Sequence, residues 1–247
     1  MTSNDSPAPQ PTPEQATDIT HPGGMRGNRV MPTPRLTHLD PFVVFERFYI
    51  DPTQGFTTHP HRGFEIVSYM LAGGMRHDDS LGESHTARDG DVMRITTGSG
   101  IQHSELPADG AACNGLQLWV NLPREKKGID PSYQDATAAE LPVEQVDGAT
   151  VTTVVGEGSP ITLETDVECR DVNISDEWEW RVPDGWHGVC YAISGTGSAD
   201  GHAFAEGDYV VQNGGTTTFS SDDDLRVAAI SGQPHGEPIH QRGPFVD

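Results

Sequence analysis

Short apolar runs separated by turn residues dominate the first half of the chain, and they predict β-strands. These runs cover residues 42–50, 65–72, 92–96 and 115–122. In the last run, leucine and valine alternate with Gln117, Trp119 and Asn121. Such alternation is typical of a strand that buries one face. The first half therefore has the pattern of an antiparallel β-domain.

A second set of similar runs follows residue 150. They cover residues 151–155, 178–182, 189–194, 209–213, 216–220 and 225–230. No long segment shows a helical period, so the chain is predicted to be all-β, with two tandem antiparallel, jelly-roll-like barrels and few short helices. We expect the first barrel over residues 31–135 and the second, with a tail, over 136–247. Residues 1–30 are rich in Pro, Thr, Asn and Gly and are predicted to form a disordered arm.

Four polar side chains in two clusters suggest a metal site in the first barrel. His59 and His61 lie in HPHRGFE, and His103 and Glu105 lie in GIQHSE. Residues two apart on a strand share a face, so each pair can point at one ion. Three imidazoles and one carboxylate can hold a six-coordinate transition metal with two positions open for chemistry. Spacing alone does not decide the carboxylate, because Glu65 is also a candidate.

The metal type follows only in part from these donors. Iron as Fe(II) is favoured, and Mn, Co, Ni, Cu or Zn suit the same ligands. Two further histidines, His77 and His85, are predicted to lie in the loop between the clusters; a surface position is favoured, and the alternative is that they line the mouth of the site. No comparable ligand cluster follows residue 150, so the second barrel is predicted to carry no metal of this type.

The chain is strongly acidic, with 15 basic and 37 acidic residues and a net charge of −22. This charge disfavours direct nucleic-acid binding, which needs a basic surface. An acidic, lysine-poor composition also suggests adaptation to high salt, where the self-repulsion is screened.

Three scattered cysteines and the absence of any apolar run of about 20 residues favour a cytoplasmic protein that is not in a membrane, and we expect a monomer.

The motifs GFTTHPHRGFEIVSYMLAG, GDVMRITTGSGIQHSE and GLQLWVNLP resemble the pirin family of the cupin superfamily. The resemblance is closest over residues 39–135 and returns in the terminal RGPFVD. The first cupin motif is present, whereas the second has Gly98 where cupins usually have proline.

The resemblance implies a bicupin with one metal ion, iron by preference, in the N-terminal barrel. It implies His59, His61, His103 and Glu105 as ligands and so selects Glu105 over Glu65. It also implies quercetin 2,3-dioxygenase activity, with O₂ and a flavonol or another enolisable aromatic as substrates and Glu105 as the catalytic general base. The alternative it leaves is a non-enzymatic, iron-dependent redox sensor that binds a protein partner.

Overall fold

The computed structural model describes residues 12–247, and the regular secondary structure of these residues is almost all antiparallel β-strand. The N-terminal half contains β1 Glu14–Gln15, β2 Thr17–Thr20, β3 Arg26–Met31, β4 Phe42–Ile50, β5 Phe56–His61, β6 Phe64–Ala72, β7 Gly74–Asp79, β8 Ser84–Arg88, β9 Val92–Thr96, β10 Ile101–Pro107, β11 Cys113–Asn121 and β12 Ser132–Ala136. The C-terminal half contains β13 Val143–Val146, β14 Ala149–Val155, β15 Val167–Ile174, β16 Glu177–Ala199, β17 His202–Ala205, β18 Asp208–Gly232, β19 Gln241–Arg242 and β20 Phe245–Val246. Short 3-10 helices occur at Ala108–Gly110, Arg124–Lys126 and Ala138–Glu140. The all-β prediction with few short helices is confirmed.

The N-terminal half is a sandwich of two sheets. One sheet has the strand order β12-β9-β6-β11-β4-β3-β2, and the other has the order β5-β10-β7-β8. Their facing surfaces share an apolar cluster to which Phe48 and Met70 contribute from the larger sheet, and Met75 and Ala87 from the smaller one. Burial of these side chains holds the two layers together.

The larger sheet of the N-terminal half is buried on its second face as well. There it packs against the C-terminal half through a cluster that joins Phe45, Val67 and Tyr69 to Tyr191 and Ile230. Strand β6 lies in the middle of this sheet, and its first seven residues are all buried. Burial on both faces explains why β6 is almost continuously apolar instead of alternating.

The C-terminal half is one folded sheet with the order β13-β14-β15-β18-β16-β17, and β1 pairs with β18. Strands β16 and β18 are long enough to bend across both layers, so His187 of β16 pairs with both Asn213 and Gly232 of β18. The interior is apolar and includes Trp180, Phe204 and Phe219.

The structure corrects two sequence predictions. Within residues 12–247 the sheets form open cupin-like sandwiches, not closed barrels, because edge strands such as β2 and β12 of the larger N-terminal sheet have no further partner. Residues 1–11 of the expected disordered arm lie outside the described residues. For residues 12–30 the prediction of disorder is wrong, since β2 pairs with β3 and β3 pairs with β4.

Strands β2 and β3 are ordered because β3 pairs with β4, which lies later in the chain. Ladder hydrogen bonds to β4 and the burial of Val30 and Met31 stabilise β3, and neither can be recognised from the local composition. Across residues 12–247, no helix is long and apolar enough to cross a membrane.

Candidate metal centre

The smaller N-terminal sheet brings the predicted histidines together. Strand β10 lies between β5 and β7, and the register places His103 directly opposite His59. His61 lies opposite Ile101, two positions along the same face. A bulge between His103 and Glu105 shifts the register, so that Glu105 lies opposite Phe56. Bulges re-aim side chains in this way beside many functional sites.

The three imidazoles converge on one point. The candidate ligating atoms of His59, His61 and His103 all lie within 4.8 Å of one another. His61 and His103 are buried, and His59 is half-buried. The Nε2 atoms of His59 and His103 are 3.0 Å apart. Two nitrogens bound to one ion at right angles, with metal–nitrogen bonds of about 2.1 Å, would have a separation of about 3 Å.

Hydrogen bonds to the backbone orient two of the rings. Nδ1 of His59 donates to the carbonyl of Thr57 at 2.8 Å, and Nδ1 of His61 donates to that of Pro244 at 3.3 Å. A proton held at Nδ1 leaves Nε2 with a free lone pair, which is the arrangement that metal-binding histidines usually have. Nδ1 of His103 is buried without a partner among the described residues.

The environment keeps two imidazoles neutral, as metal binding requires. Burial, aided by the neighbouring His103 and His59, lowers the pKa of His61 to about 3. Burial, aided by His59 and His77, lowers the pKa of His103 to about 2. Neutral, converging nitrogens, one of them with an orphaned buried Nδ1, fit a transition-metal ion.

The Glu105 carboxylate is almost fully buried and reaches across the sandwich to the larger sheet. Its oxygens accept hydrogen bonds from Gln117 Nε2 at 3.2 Å and from Ser68 Oγ at 3.4 Å. Trp119 Nε1 donates to the Gln117 carbonyl oxygen at 3.1 Å, which turns the amide NH₂ towards Glu105. Within 4.8 Å, Glu105 groups with His103 and His77, not with His59 and His61. A four-residue ligand set that includes Glu105 therefore stays a prediction.

The competing carboxylate, Glu65, faces away from this point. It is fully buried and shares a face of β6 with Val67 and Tyr69, which pack against the C-terminal half. Its oxygens accept hydrogen bonds from Thr96 Oγ1 at 2.7 Å and from the Glu164 backbone N–H at 2.8 Å. Spacing misled here because His61 and Glu65 lie on different strands, and the alternation of faces does not continue through the turn at Gly63.

His77 does not lie in a surface loop, as the sequence had suggested. It is fully buried on β7, opposite Glu105 in the register. Its Nε2 bonds to the carboxylate of Asp79 at 3.1 Å, and its ring stacks on Tyr133. The i, i+2 spacing of His77 and Asp79 in RHDD was the signal that could have placed both on one strand face. His85 is on β8, partly exposed, and 3.7 Å from Asp135.

A cavity of about 390 Å³ opens beside the histidines. Apolar side chains form much of its wall, among them Phe56, Trp119 and Val44. The indole of Trp119 stacks on Phe64 and meets the edge of His61. The volume is within the range of small-molecule sites, and the flat aromatic walls suit a planar ligand.

The same cavity has a polar end that sequence reasoning missed. Glu46, which is 3% exposed, bonds to His21 Nε2 at 2.8 Å and Arg29 Nε at 2.7 Å. Burial works against ionisation of Glu46, but the bonds and charges of His21 and Arg29 outweigh it and lower its pKa. His21 precedes β3, and Arg29 is on it, so the segment predicted to be disordered supplies part of the site.

Comparisons with known proteins agree with this architecture. A family model described as Pirin matches residues 24–120, and one described as Pirin C-terminal cupin domain matches residues 169–247. The chain belongs to the pirin family. It is 37% identical to Pirin from Rattus norvegicus over 237 residues, which cover 90% of this chain and 81% of the rat protein. It is 37% identical to a Pirin-like protein from Solanum lycopersicum over 86% of this chain and 77% of that protein.

Two solved structures have the same fold. Quercetin 2,3-dioxygenase from Acinetobacter baumannii superposes with a TM-score of 0.86 at 26% identity, covering 96% of this pirin and 92% of that chain. Bacterial pirin YhhW from Escherichia coli, in complex with nickel(II), superposes with a TM-score of 0.76 at 20% identity, covering 91% and 99%. The second likeness shows the fold alone. The predicted bicupin fold is confirmed.

Proposed function

We propose that this pirin is a metal-dependent dioxygenase that cleaves a flavonol-type substrate. The observation that carries the proposal is the convergence of three histidines, two of them buried and neutral, at one wall of an aromatic cavity. His59, His61 and His103 would hold the ion, with Glu105 as the fourth ligand. The likeness to quercetin 2,3-dioxygenase from A. baumannii supports this reaction class.

Different residues of the site would bind the metal and the substrate. When bound, the ion would supply Lewis-acid and redox chemistry towards the enolisable substrate and O₂. The Glu105 carboxylate would accept the proton of the substrate hydroxyl, and Gln117 would keep that carboxylate oriented. The ring of Trp119 and that of Phe56 would contact the flat faces of the substrate and exclude water.

Fe(II) is our preferred metal, because imidazole and carboxylate ligands with open positions are typical of non-haem iron sites. We further propose that the protein acts in the cytoplasm as a monomer at high salt. The three free, buried cysteines support the cytoplasmic compartment, and the net charge of −22 supports a high-salt environment.

The decisive test is O₂ consumption with quercetin by metal-loaded protein, in about 0.1 M and about 2 M KCl, for wild type and His61→Ala. The control variant His202→Ala changes an exposed histidine of the C-terminal half. We expect turnover in wild type and in His202→Ala, and its loss in His61→Ala, because His61 would contribute one of the three converging nitrogens.

Equal rates in wild type and His61→Ala would contradict the proposal. Tight metal binding without turnover at either salt concentration would also contradict it, and would favour the alternative of a metal-dependent regulatory protein. Repeating the assay with Fe(II), Mn(II), Co(II), Ni(II), Cu(II) and Zn(II) tests the preference for iron.

A further inference from the structure

The residues just before strand β20 form part of the wall of the candidate site. Gln241, Gly243 and Pro244 all line the cavity. The Pro244 carbonyl accepts the hydrogen bond from Nδ1 of His61 that fixes this ring. The position of this terminal segment therefore bears directly on one of the three imidazoles.

This terminal segment is hydrogen-bonded to Arg62, which directly follows His61 at the end of β5. The Val246 N–H donates to the Arg62 carbonyl at 3.0 Å, and the Arg62 guanidinium pairs with Asp247 at 2.7 Å. The Val246 side chain is 1% exposed and packs in a cluster with Val44 and Phe64. Gly63 has a φ of +89°, and a Cβ there would collide with the Val246 carbonyl. The backbone contact thus needs glycine at position 63.

A single ammonium group bonds to the turn after β5, to the end of β11 and to the terminal strand β20. Lys127 Nζ donates to the Gly63 carbonyl at 2.9 Å, the Asn121 side-chain oxygen at 2.8 Å and the Val246 carbonyl at 3.0 Å. All three ammonium hydrogens are used, and none of these acceptors is a carboxylate. Burial lowers the pKa of Lys127 to about 8. A half-buried lysine with only neutral acceptors is costly to retain, so its role in joining three elements needs an explanation.

We propose that Lys127 is a positioning residue of the metal centre. It holds β20 against Arg62–Gly63, and β20 in turn keeps the Pro244 carbonyl in place for His61. This inference rests on the proposed metal site and adds a residue outside the cavity to it. Partners that orient a ligating histidine typically change metal affinity by about 10- to 100-fold when removed.

The test compares Lys127→Met with Lys126→Met. Lys126 is the adjacent lysine and is also partly buried, but its ammonium donates to the carbonyl and the carboxylate of Glu164 and makes none of the three bonds of Lys127. Ni(II) affinity is measured by calorimetry on the full chain, and amide exchange at Val246 is followed by mass spectrometry. We expect Lys127→Met to bind Ni(II) about tenfold more weakly and to exchange the Val246 amide faster. Lys126→Met should match wild type in both measurements.

A second variant, Val246→Ala, loosens the same segment without changing Lys127 and should weaken Ni(II) binding in the same direction. The Co(II) visible spectrum should shift in both variants, because it reports ligand geometry and not overall stability. Faster exchange at Val246 with unchanged Ni(II) affinity would overturn the role of Lys127. If wild type itself bound no Ni(II), Fe(II) or Co(II), the proposed metal site would fail first, and the positioning role with it.

Discussion

The two halves of this pirin have related sandwiches with different interiors. In the N-terminal half, the inner face of the smaller sheet carries His59, His61, His77, His103 and Glu105. In the C-terminal half, the interior is closed by apolar side chains. Strand β16 illustrates this, since its first residues EWEWRV alternate between exposed and buried, with Trp178, Trp180 and Val182 buried.

This difference separates the fold from the function. A β-sandwich needs apolar burial, and the C-terminal half meets that need with a cluster that includes Trp180, Phe204 and Phe219. The N-terminal half replaces part of its core with imidazoles and a carboxylate, which are costly to bury unless they have partners. It can do so because its larger sheet is also buried against the C-terminal half. The C-terminal half thus stabilises the N-terminal half, which contains the candidate metal site.

The largest expected effect concerns the apolar interior of the C-terminal half. Trp180 is 2% exposed, and its ring packs over Gly188, so Trp180→Ala would leave a large cavity in the C-terminal core. We expect a loss of about 3–5 kcal/mol in the free energy of unfolding, measured by urea titration. Metal content in the folded protein should not change. Trp186→Ala, at a partly buried position, should cost clearly less.

A pair of glutamates tests which buried carboxylate serves the metal. Glu105→Gln should weaken Fe(II) binding by more than about 100-fold, since loss of a ligand exceeds the effect of an outer partner. Glu65→Gln should leave metal affinity unchanged. It should lower the free energy of unfolding by about 1 kcal/mol, because its hydrogen bonds to Thr96 and Glu164 are weakened. Metal titration and urea unfolding of both variants measure the two effects, and the reverse pattern would assign the ligand to Glu65.

A smaller effect is expected at the side chain that orients Glu105. Gln117→Leu removes the amide between Glu105 and Trp119, and we expect metal affinity to fall about tenfold. The control Gln102→Leu alters an exposed position on β10 and should have no effect. Metal affinity of both variants is measured by calorimetry. Identical affinities would show that Gln117 is only a packing residue.

The smallest expected effect concerns net charge, which differs between the two domains predicted from the sequence. Residues 31–135 have nine basic and fourteen acidic side chains, a net charge of −5, whereas residues 136–247 have four and twenty, a net charge of −16. Raising KCl from about 0.1 to 1 M shortens the Debye length from about 10 to 3 Å. We expect about 1 kcal/mol of stabilisation, or about 2–4 °C in Tm. Amide exchange should slow more in the C-terminal half, and a uniform response would contradict this assignment.

Most strands were predictable because their hydrophobic pattern is local. The run at residues 42–50 coincides with β4, and that at 92–96 coincides with β9. The two histidine clusters were predictable for the same reason, since each pair lies two apart on one strand. Bends within β16 and β18 were not, because a strand that crosses both layers looks like two separate runs.

Other parts of the site depend on contacts between distant segments. Arg29 reaches the cavity because β3 pairs with β4, and Pro244 reaches His61 because the adjacent Val246 is hydrogen-bonded to Arg62. The hydrogen-bonding partners of Glu65 come from β9 and from the loop before β15. Such placements follow from the tertiary fold and not from local periodicity.

The central claim is that one metal ion binds per chain, at the histidines of the N-terminal half. Metal analysis by mass spectrometry, after loading with Fe(II) without oxygen and removal of free metal, tests it for wild type, His61→Ala and His202→Ala. We predict about one iron per chain in wild type and in His202→Ala, and less than about one tenth in His61→Ala. Equal iron content in all three proteins would contradict the account.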